Sequence, residues 1–214
     1  MSASEHLKER ITSAKARLSY PYLFTPKAAQ EPGEKDKYGT ALIFEADVDT
    51  KPMREAAMRV ATARWPDAPN LFRSGKLRWP FRNDPETIKE KGYPVGSSFI
   101  NTNAGQNQPG VVDASLNDVT NPNDAYAGRY AFATLTVSTY DRRGNKGVTF
   151  YLNNVQILEH GERLDGRRSA TDDFQVQESA ISPLSDLGEE AVDAPAEVEV
   201  VGAEEASALS DLIS

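Results

Sequence analysis

Apolar and polar positions alternate most cleanly between Gly128 and Leu158, and this stretch predicts a hairpin around which the rest of the chain is organised. In Arg129–Asp141 the odd positions Ala131, Ala133, Leu135 and Val137 are apolar, while the even positions run Tyr130, Phe132, Thr134, Thr136, Ser138, Tyr140. Period 2 is the signature of a strand with two distinct faces. The odd face suits the inside of a curved sheet. The even face interleaves rings with hydroxyls and holds no aliphatic residue, which suits a surface that stacks flat polar molecules such as bases. Burial of Tyr130 and Phe132 under a loop or helix would produce the same pattern.

The turn Arg142-Arg143-Gly144-Asn145-Lys146-Gly147 supplies Gly and Asn for positive φ and puts three cations at the tip. On the return strand Val148, Phe150 and Leu152 share one face, and Val155 and Ile157 continue it one residue out of phase. A bulge at Asn153-Asn154 restores the register, and bulges bend strands where a sheet closes into a barrel. Thr149 and Tyr151 then join the face of Tyr130, Phe132 and Tyr140.

Earlier in the chain, Arg17–Phe24 (RLSYPYLF) and Tyr38–Phe44 (YGTALIF) predict an antiparallel pair of strands, with Pro21 breaking the first or placing it at an edge. A helix is predicted over Thr50–Arg64, capped by Asp49 or Thr50, with Pro52 in its first turn and an apolar stripe of Met53, Ala56, Ala57, Val60 and Ala61. Its other face carries Arg54 and Arg59, read as solvated surface. SSFIN (97–101) and GVVD (110–113) are short strands, and 117–127 is a turn-rich connection. Residues 1–15 read as a flexible arm or a short helix. The predicted order of elements is that of a mainly β, OB-fold-like five-stranded barrel with one helix and inserted loops, over residues 16–174.

Leu71–Asn83 (LFRSGKLRWPFRN) changes the picture from fold to function. Arg73, Lys76, Arg78 and Arg82 alternate with Phe72, Trp79 and Phe81, and no acid intervenes. Cations meet phosphates and rings stack on bases, so this interleaving is a mark of single-strand nucleic-acid binding; Trp79 and Phe81 also suit a core wrapped by arginine stems. The candidate strand-binding residues are therefore Arg73, Lys76, Arg78, Trp79, Phe81, Arg82, Tyr130, Phe132, Tyr140, Arg142, Arg143, Lys146 and Tyr151.

Charge sharpens the division of the chain. Residues 1–168 hold all 24 Lys and Arg and 20 of the 32 Asp and Glu, a net +4, whereas residues 169–214 hold 12 acids and no base. Residues 175–214 lack aromatic residues and have the small, acidic composition of a disordered tail, which closes on Leu209, Asp211, Leu212 and Ile213 as a candidate partner-binding patch. The chain has no Cys, which excludes disulfides and thiol nucleophiles. No run of 18 apolar residues marks a membrane span, and the first residues lack the apolar core of a signal peptide, so a cytoplasmic location is expected.

Enzyme chemistry finds little to use. His6 and His160 read as surface residues. Asp113, Asp118 and Asp124 match no metal-ligand spacing, although a nuclease site would have to be built there, and no phosphate-binding glycine loop or nucleophile elbow is present. No cofactor or metal is expected.

RLSYPYLF, YGTALIF, SSFIN, the Pro109-Gly-Val-Val segment, YAGRYAFATLTVSTYD, GNKGVTFYLNNVQ and the closing DDF resemble, in that order, the small single-stranded DNA-binding proteins of tailed bacteriophages. The resemblance covers about residues 16–174. It implies an OB fold, an acidic C-terminal tail, and non-enzymatic, sequence-independent coating of single-stranded DNA during replication or recombination, in the cytoplasm of an infected host. Partner proteins would be recruited through the tail, which departs from the family in ending Ile-Ser without a terminal aromatic residue. The rival reading is an interaction or DNA-mimic protein whose acidic tail works and whose barrel is a scaffold.

Overall fold

A computed structural model describes residues 7–142, 144–164 and 166. The chain divides into two units, Met1–Ser169 and Ala170–Ser214, and every described residue belongs to the first. Arg143, His6 and the tail residues Leu209, Asp211, Leu212 and Ile213 lie outside the described residues.

The strands are β1 (Glu9–Thr12), β2 (Ala16–Lys27), β3 (Lys37–Phe44), β4 (Ser98–Gly105), β5 (Gly110–Val112), β6 (Tyr130–Arg142) and β7 (Asn145–Ile157). They form one sheet in the order β1-β6-β2-β3-β4-β7-β5, and β6 also pairs with β7. Strands β2-β3-β4-β7-β6 therefore close on themselves, with a parallel contact between β4 and β7 and antiparallel contacts elsewhere. This is a five-stranded OB-type barrel, with β1 and β5 added at its margins.

The hairpin follows its alternation. Ala131, Ala133, Leu135 and Val137 of β6 and Val148, Phe150, Leu152, Val155 and Ile157 of β7 are all buried in the main core. The pairing steps from Thr134↔Asn154 to Leu135↔Leu152, so Asn153 is the extra residue of a bulge at the place where the phase of β7 slips. Its side chain hydrogen-bonds Thr136 Oγ1 at 3.0 Å.

The N-terminal segment departs from expectation. Residues 9–12 are a strand, not a helix or a free arm, paired with β6 from Glu9↔Val137 to Thr12↔Thr134. The long β6 would otherwise leave the backbone groups of Thr134–Val137 without partners on that side, and β1 satisfies them. Glu9 also holds Arg59 in an ion pair at 2.6 Å.

Helix α1 (Lys51–Arg64) buries Met53, Ala56, Ala57, Val60 and Ala61, the stripe its spacing predicts, and packs against β6 and β7. Asp49 Oδ1 accepts from the Lys51 N–H at 2.8 Å at its start. Two further short helices, α2 (Ala68–Arg73) and α3 (Pro85–Glu90), occupy the long connection to β4. Alternation alone does not separate them from loop. The segment around α3 covers part of the sheet. Ile88 and Tyr93 pack on Ile43 and Phe99, which point outward from β3 and β4, and form a second, small core there. That cover takes one half of the outer face of the β3–β4 pair and leaves the other half open.

Candidate nucleic-acid interface

The open half is a row of residues in register across the outside of the barrel. Tyr22 pairs with Gly39, Gly39 with Asn103, Asn103 with Tyr151, and Tyr151 with Thr136. Tyr22 and Tyr151 thus stand three strand spacings apart, roughly 14 Å, on a floor of amide, hydroxyl and bare backbone. Gly39 has to be glycine, because a Cβ there would collide with the Thr102 carbonyl of β4.

Leu71–Asn83 lies beside this floor. After α2 the chain runs extended as a strap across the place where β4 and β7 diverge. The Arg78 N–H donates to the Lys146 carbonyl at 2.9 Å, the Arg82 N–H donates to the Phe99 carbonyl at 2.9 Å, and the Phe99 N–H returns a bond to the Arg82 carbonyl at 2.8 Å. Those bonds fix the strap's faces. Leu77 and Phe81 turn into the core, and Arg78 and Arg82 turn out.

Phe81 is accordingly a core residue and not a stacking surface. It is 6% exposed, meets Phe150 edge-on at 5.7 Å and Phe44 at 6.2 Å, and is capped by the Arg54 guanidinium 4.2 Å from its centroid. Burial lowers the pKa of Arg54, which serves here as a lid on a ring instead of solvated surface. Trp79 is intermediate. It packs edge-on against Phe72 at 4.9 Å, yet with Arg78, Arg82, Asn101, Tyr140 and Thr149 it also lines an open groove.

Tyr140 lies across Gly147, its cross-strand partner. A Cβ at Gly147 would stand 2.6 Å from the Arg78 carbonyl and 2.9 Å from the Tyr140 hydroxyl, so this glycine lets strap, strand and ring meet. Lys76, Arg78 and Lys146 line the adjoining hollow at the hairpin tip, where Lys146 Nζ is 3.5 Å from the Asp141 carboxylate. Arg142 is exposed beside them.

The predicted residues therefore divide. Arg78, Trp79, Arg82 and Tyr140 are gathered around one groove, with Lys76, Arg142 and Lys146 at its tip end, and Tyr151 stands two residues beyond Thr149 of that groove on the same face of β7, where it lines a separate hollow with Asn103 and Gln108. Arg73 is exposed at the end of α2 and lines neither hollow. Tyr130 and Phe132 stand at the root of the hairpin, ten residues or about 30 Å along β6 from Tyr140. There Tyr130 is engaged: its hydroxyl donates to Glu45 Oε1 at 3.0 Å, and Lys15 and Arg17 stand over its ring at 4.8 and 5.6 Å. Burial, and then the Glu45 carboxylate, raise the pKa of its hydroxyl. The even face of β6 is one face in register but not one site.

Sequence reading missed Tyr22, Gly39, Asn101 and Asn103 on the floor, and the lysines Lys27, Lys35 and Lys37 that line its β2–β3 end. A signal for Tyr22 is present: the buried Leu18 and Leu23 are five apart, so β2 must slip phase between them, as β7 does. The asparagines carry no such mark.

Asp113 accepts from the Ser115 and Asn117 N–H groups at 2.8 and 2.9 Å, within a loop. Bonds from Asn117 hold its pKa low. Among the described residues no group of three His, Cys, Asp or Glu side chains is placed to hold a metal. His160 stacks on Tyr126, with Arg129 Nη1 2.8 Å from its Nδ1.

Among solved structures, the single-stranded DNA-binding protein of bacteriophage Enc34 in complex with ssDNA is similar at 18% identity and a TM-score of 0.58, over 72% of this chain and 88% of that one. The T7 protein gp2.5, a single-stranded DNA-binding protein, is similar at 14% identity and a TM-score of 0.56, over 75% of this chain and 97% of that one. No curated protein matches. Residues 9–182 match the model described as the ssDNA-binding protein of Enterobacter phage Enc34, and the chain belongs to that family.

Proposed function

We propose that this protein binds single-stranded DNA along the groove between the hairpin tip and the β2–β3 end, without strong sequence preference, and coats it during phage DNA replication or recombination in the cytoplasm of the infected host. The observation that carries the reading is the convergence of Trp79 and Tyr140 with Arg78 and Arg82 in one groove of an OB barrel, on an outer face that continues through Asn101 and Asn103 to Tyr151. Rings take any base, because every base has a π-face, and guanidinium groups take the phosphates between. The Enc34 protein, solved with ssDNA, supports the choice of ligand. Among the described residues no helix is long and apolar enough to cross a membrane.

The acidic segment has a place in this reading. Twelve carboxylates and no base in residues 169–214 are joined to a basic body, so the segment competes with the strand for the groove, and once displaced offers Leu209, Asp211, Leu212 and Ile213 to a replication or recombination partner. Titration of the full chain with a labelled oligothymidine, beside equal lengths of duplex and RNA, tests the ligand. Tightest binding to the single DNA strand is expected, and indifference to it at low salt overturns the function. Removal of residues 178–214 is expected to raise affinity, most at low salt where screening is weakest.

A further inference from the structure

One residue of β2 is in a conformation that its side chain disfavours. Between Ser19↔Ala41 and Tyr22↔Gly39 the strand carries one more residue than β3, a bulge at Tyr20-Pro21. Tyr20 has a φ of 47°, the left-handed conformation that a bulge of this kind normally assigns to glycine. A bulky side chain there is costly, and strain of this type clusters at ligand sites, where the ring's position matters more than the backbone's comfort. Burial does not compensate. The ring is 56% exposed, one of the few large apolar side chains left so open among the described residues.

What surrounds the ring is suited to a nucleotide. Tyr20 and Lys91 line the β2–β3 end of the floor and also line a second hollow on the far side of the bulge. Lys91 Nζ is 5.6 Å from the Tyr20 ring centroid, so a cation sits beside an exposed π-face. The second hollow has rigid walls. The buried Tyr93 hydroxyl donates to Ser19 Oγ at 2.9 Å, and Tyr126 lies under the Arg163 guanidinium at 4.4 Å. The bulge thus projects one strained, open ring at the point where two cation-bearing hollows meet, the second of them lined largely by rings and prolines.

We infer that Tyr20 is the ring on which a bound strand turns off the groove, and that the hollow beyond it, with Lys91 at its mouth, is a further nucleotide subsite. A base stacks on Tyr20, its phosphate meets Lys91, and the next nucleotide enters the hollow lined by Pro21, Tyr22 and Asn123. The inference rests on the reading of the groove as a single-strand site. It adds a definite consequence, that the length of strand held depends on a residue at the far end of the groove.

The test uses the full chain and oligothymidines of about 4 to 16 nucleotides, the span of site sizes seen in OB folds. Tyr20→Gly suits the backbone and removes only the ring, so its thermal midpoint should stay level or rise. Its affinity for the longer strands should fall roughly 5- to 150-fold, the equivalent of one stacked base, while the shortest strands bind within about twofold of the parent. Tyr20→Phe should keep the long-strand affinity, because stacking needs the ring and not the hydroxyl. Equal affinity of Tyr20→Gly and parent at every length overturns the inference, as does equal weakening at every length, or a lowered midpoint that marks the ring as structural. If the parent itself ignores single strands, the failure belongs to the underlying function. If the parent binds and Tyr20→Gly matches it, only the subsite is lost.

Discussion

The two ends of the β6–β7 hairpin carry the same sequence pattern and meet different surroundings. At the root, Tyr130 follows the alternation of rings and hydroxyls, but its hydroxyl is bonded to Glu45 and its ring is flanked by Lys15 and Arg17. Towards the tip, Tyr140 and Tyr151 belong to the same outer face, where Tyr140 meets a groove walled by the arginines of the strap and Tyr151 stands beside Asn103 in the next hollow along. Alternation determines which way a side chain points. What it finds there depends on the segments packed alongside: β1, β2 and the end of β3 near the root, and the strap and the end of α1 near the tip. The strap repeats the contrast at single-residue scale, since Phe81 is sealed into the core and its near neighbour Trp79 is half open.

The largest effect should come from breaking the sealed side. Phe81→Ala removes a ring that touches Phe44 and Phe150, and a buried Phe→Ala change costs about 3–5 kcal/mol. Urea denaturation should show a loss of that size, and a loss below about 1 kcal/mol would mean that Phe81 is no part of the core. The open side should respond in affinity instead. Replacing Tyr140 and Tyr151 together by Ala should weaken single-strand binding by at least about thirtyfold, roughly 2 kcal/mol, with little change in stability because Tyr151 is 38% exposed. The paired change Tyr130→Ala with Phe132→Ala, measured alongside, should leave affinity within about threefold. The comparison fails if the root pair costs more binding than the tip pair.

Much of this fold was legible because burial writes itself into period. The inner faces of β6 and β7, the bulge at Asn153 and the stripe of α1 follow from which positions are apolar, since a half-buried element has no other way to satisfy its core. β1 was not legible. Four residues with only Ile11 to mark an inner face carry little periodic signal, and their pairing is decided by the partnerless edge of β6. The candidate site was half legible for a related reason. Arg78, Trp79, Arg82, Tyr140 and Tyr151 have chemistry that names them, whereas Asn101, Asn103 and Gly39 matter only through register, and register across β3, β4 and β7 is a tertiary fact. Phe81 was misread because Trp79 and Phe81, two residues apart, share one parity, and only the packing of Phe81 on Phe44 and Phe150 seals one of them while the other stays half open.

A smaller effect separates the root from the tip by its pH dependence. Tyr130→Phe keeps the ring and removes the hydroxyl donated to Glu45, which should cost about 1 kcal/mol of stability at neutral pH and leave DNA binding unchanged. The folded state raises the pKa of this hydroxyl above its ordinary value, so its contribution is complete below about pH 10 and is lost as pH rises through the higher folded value. The parent should therefore lose stability relative to Tyr130→Phe in alkali, as thermal melts between about pH 8 and pH 11 would record. A constant difference across that range would mean that Tyr130 is not held by Glu45.

The smallest effect is electrostatic, and it separates an arginine that faces the groove from one that does not. Each phosphate neutralised on a single strand contributes about −0.7 to the slope of log affinity against log salt, because a condensed counterion is released. Arg82 faces the groove, and Arg73, at the end of α2, does not. Arg82→Ala should flatten the slope by about 0.7, which amounts to a factor of about 2.6 in relative affinity over a fourfold change of salt. Arg73→Ala removes the same charge from the same basic stretch and should leave the slope where it was, since a cation far from the backbone displaces no counterion. Both residues are exposed, so neither change should disturb the fold, and fluorescence titrations at three or more salt concentrations would resolve the slopes. Equal slopes for the two variants would mean that the strap acts through its overall charge, and the division between groove-facing and outlying cations would fall with it.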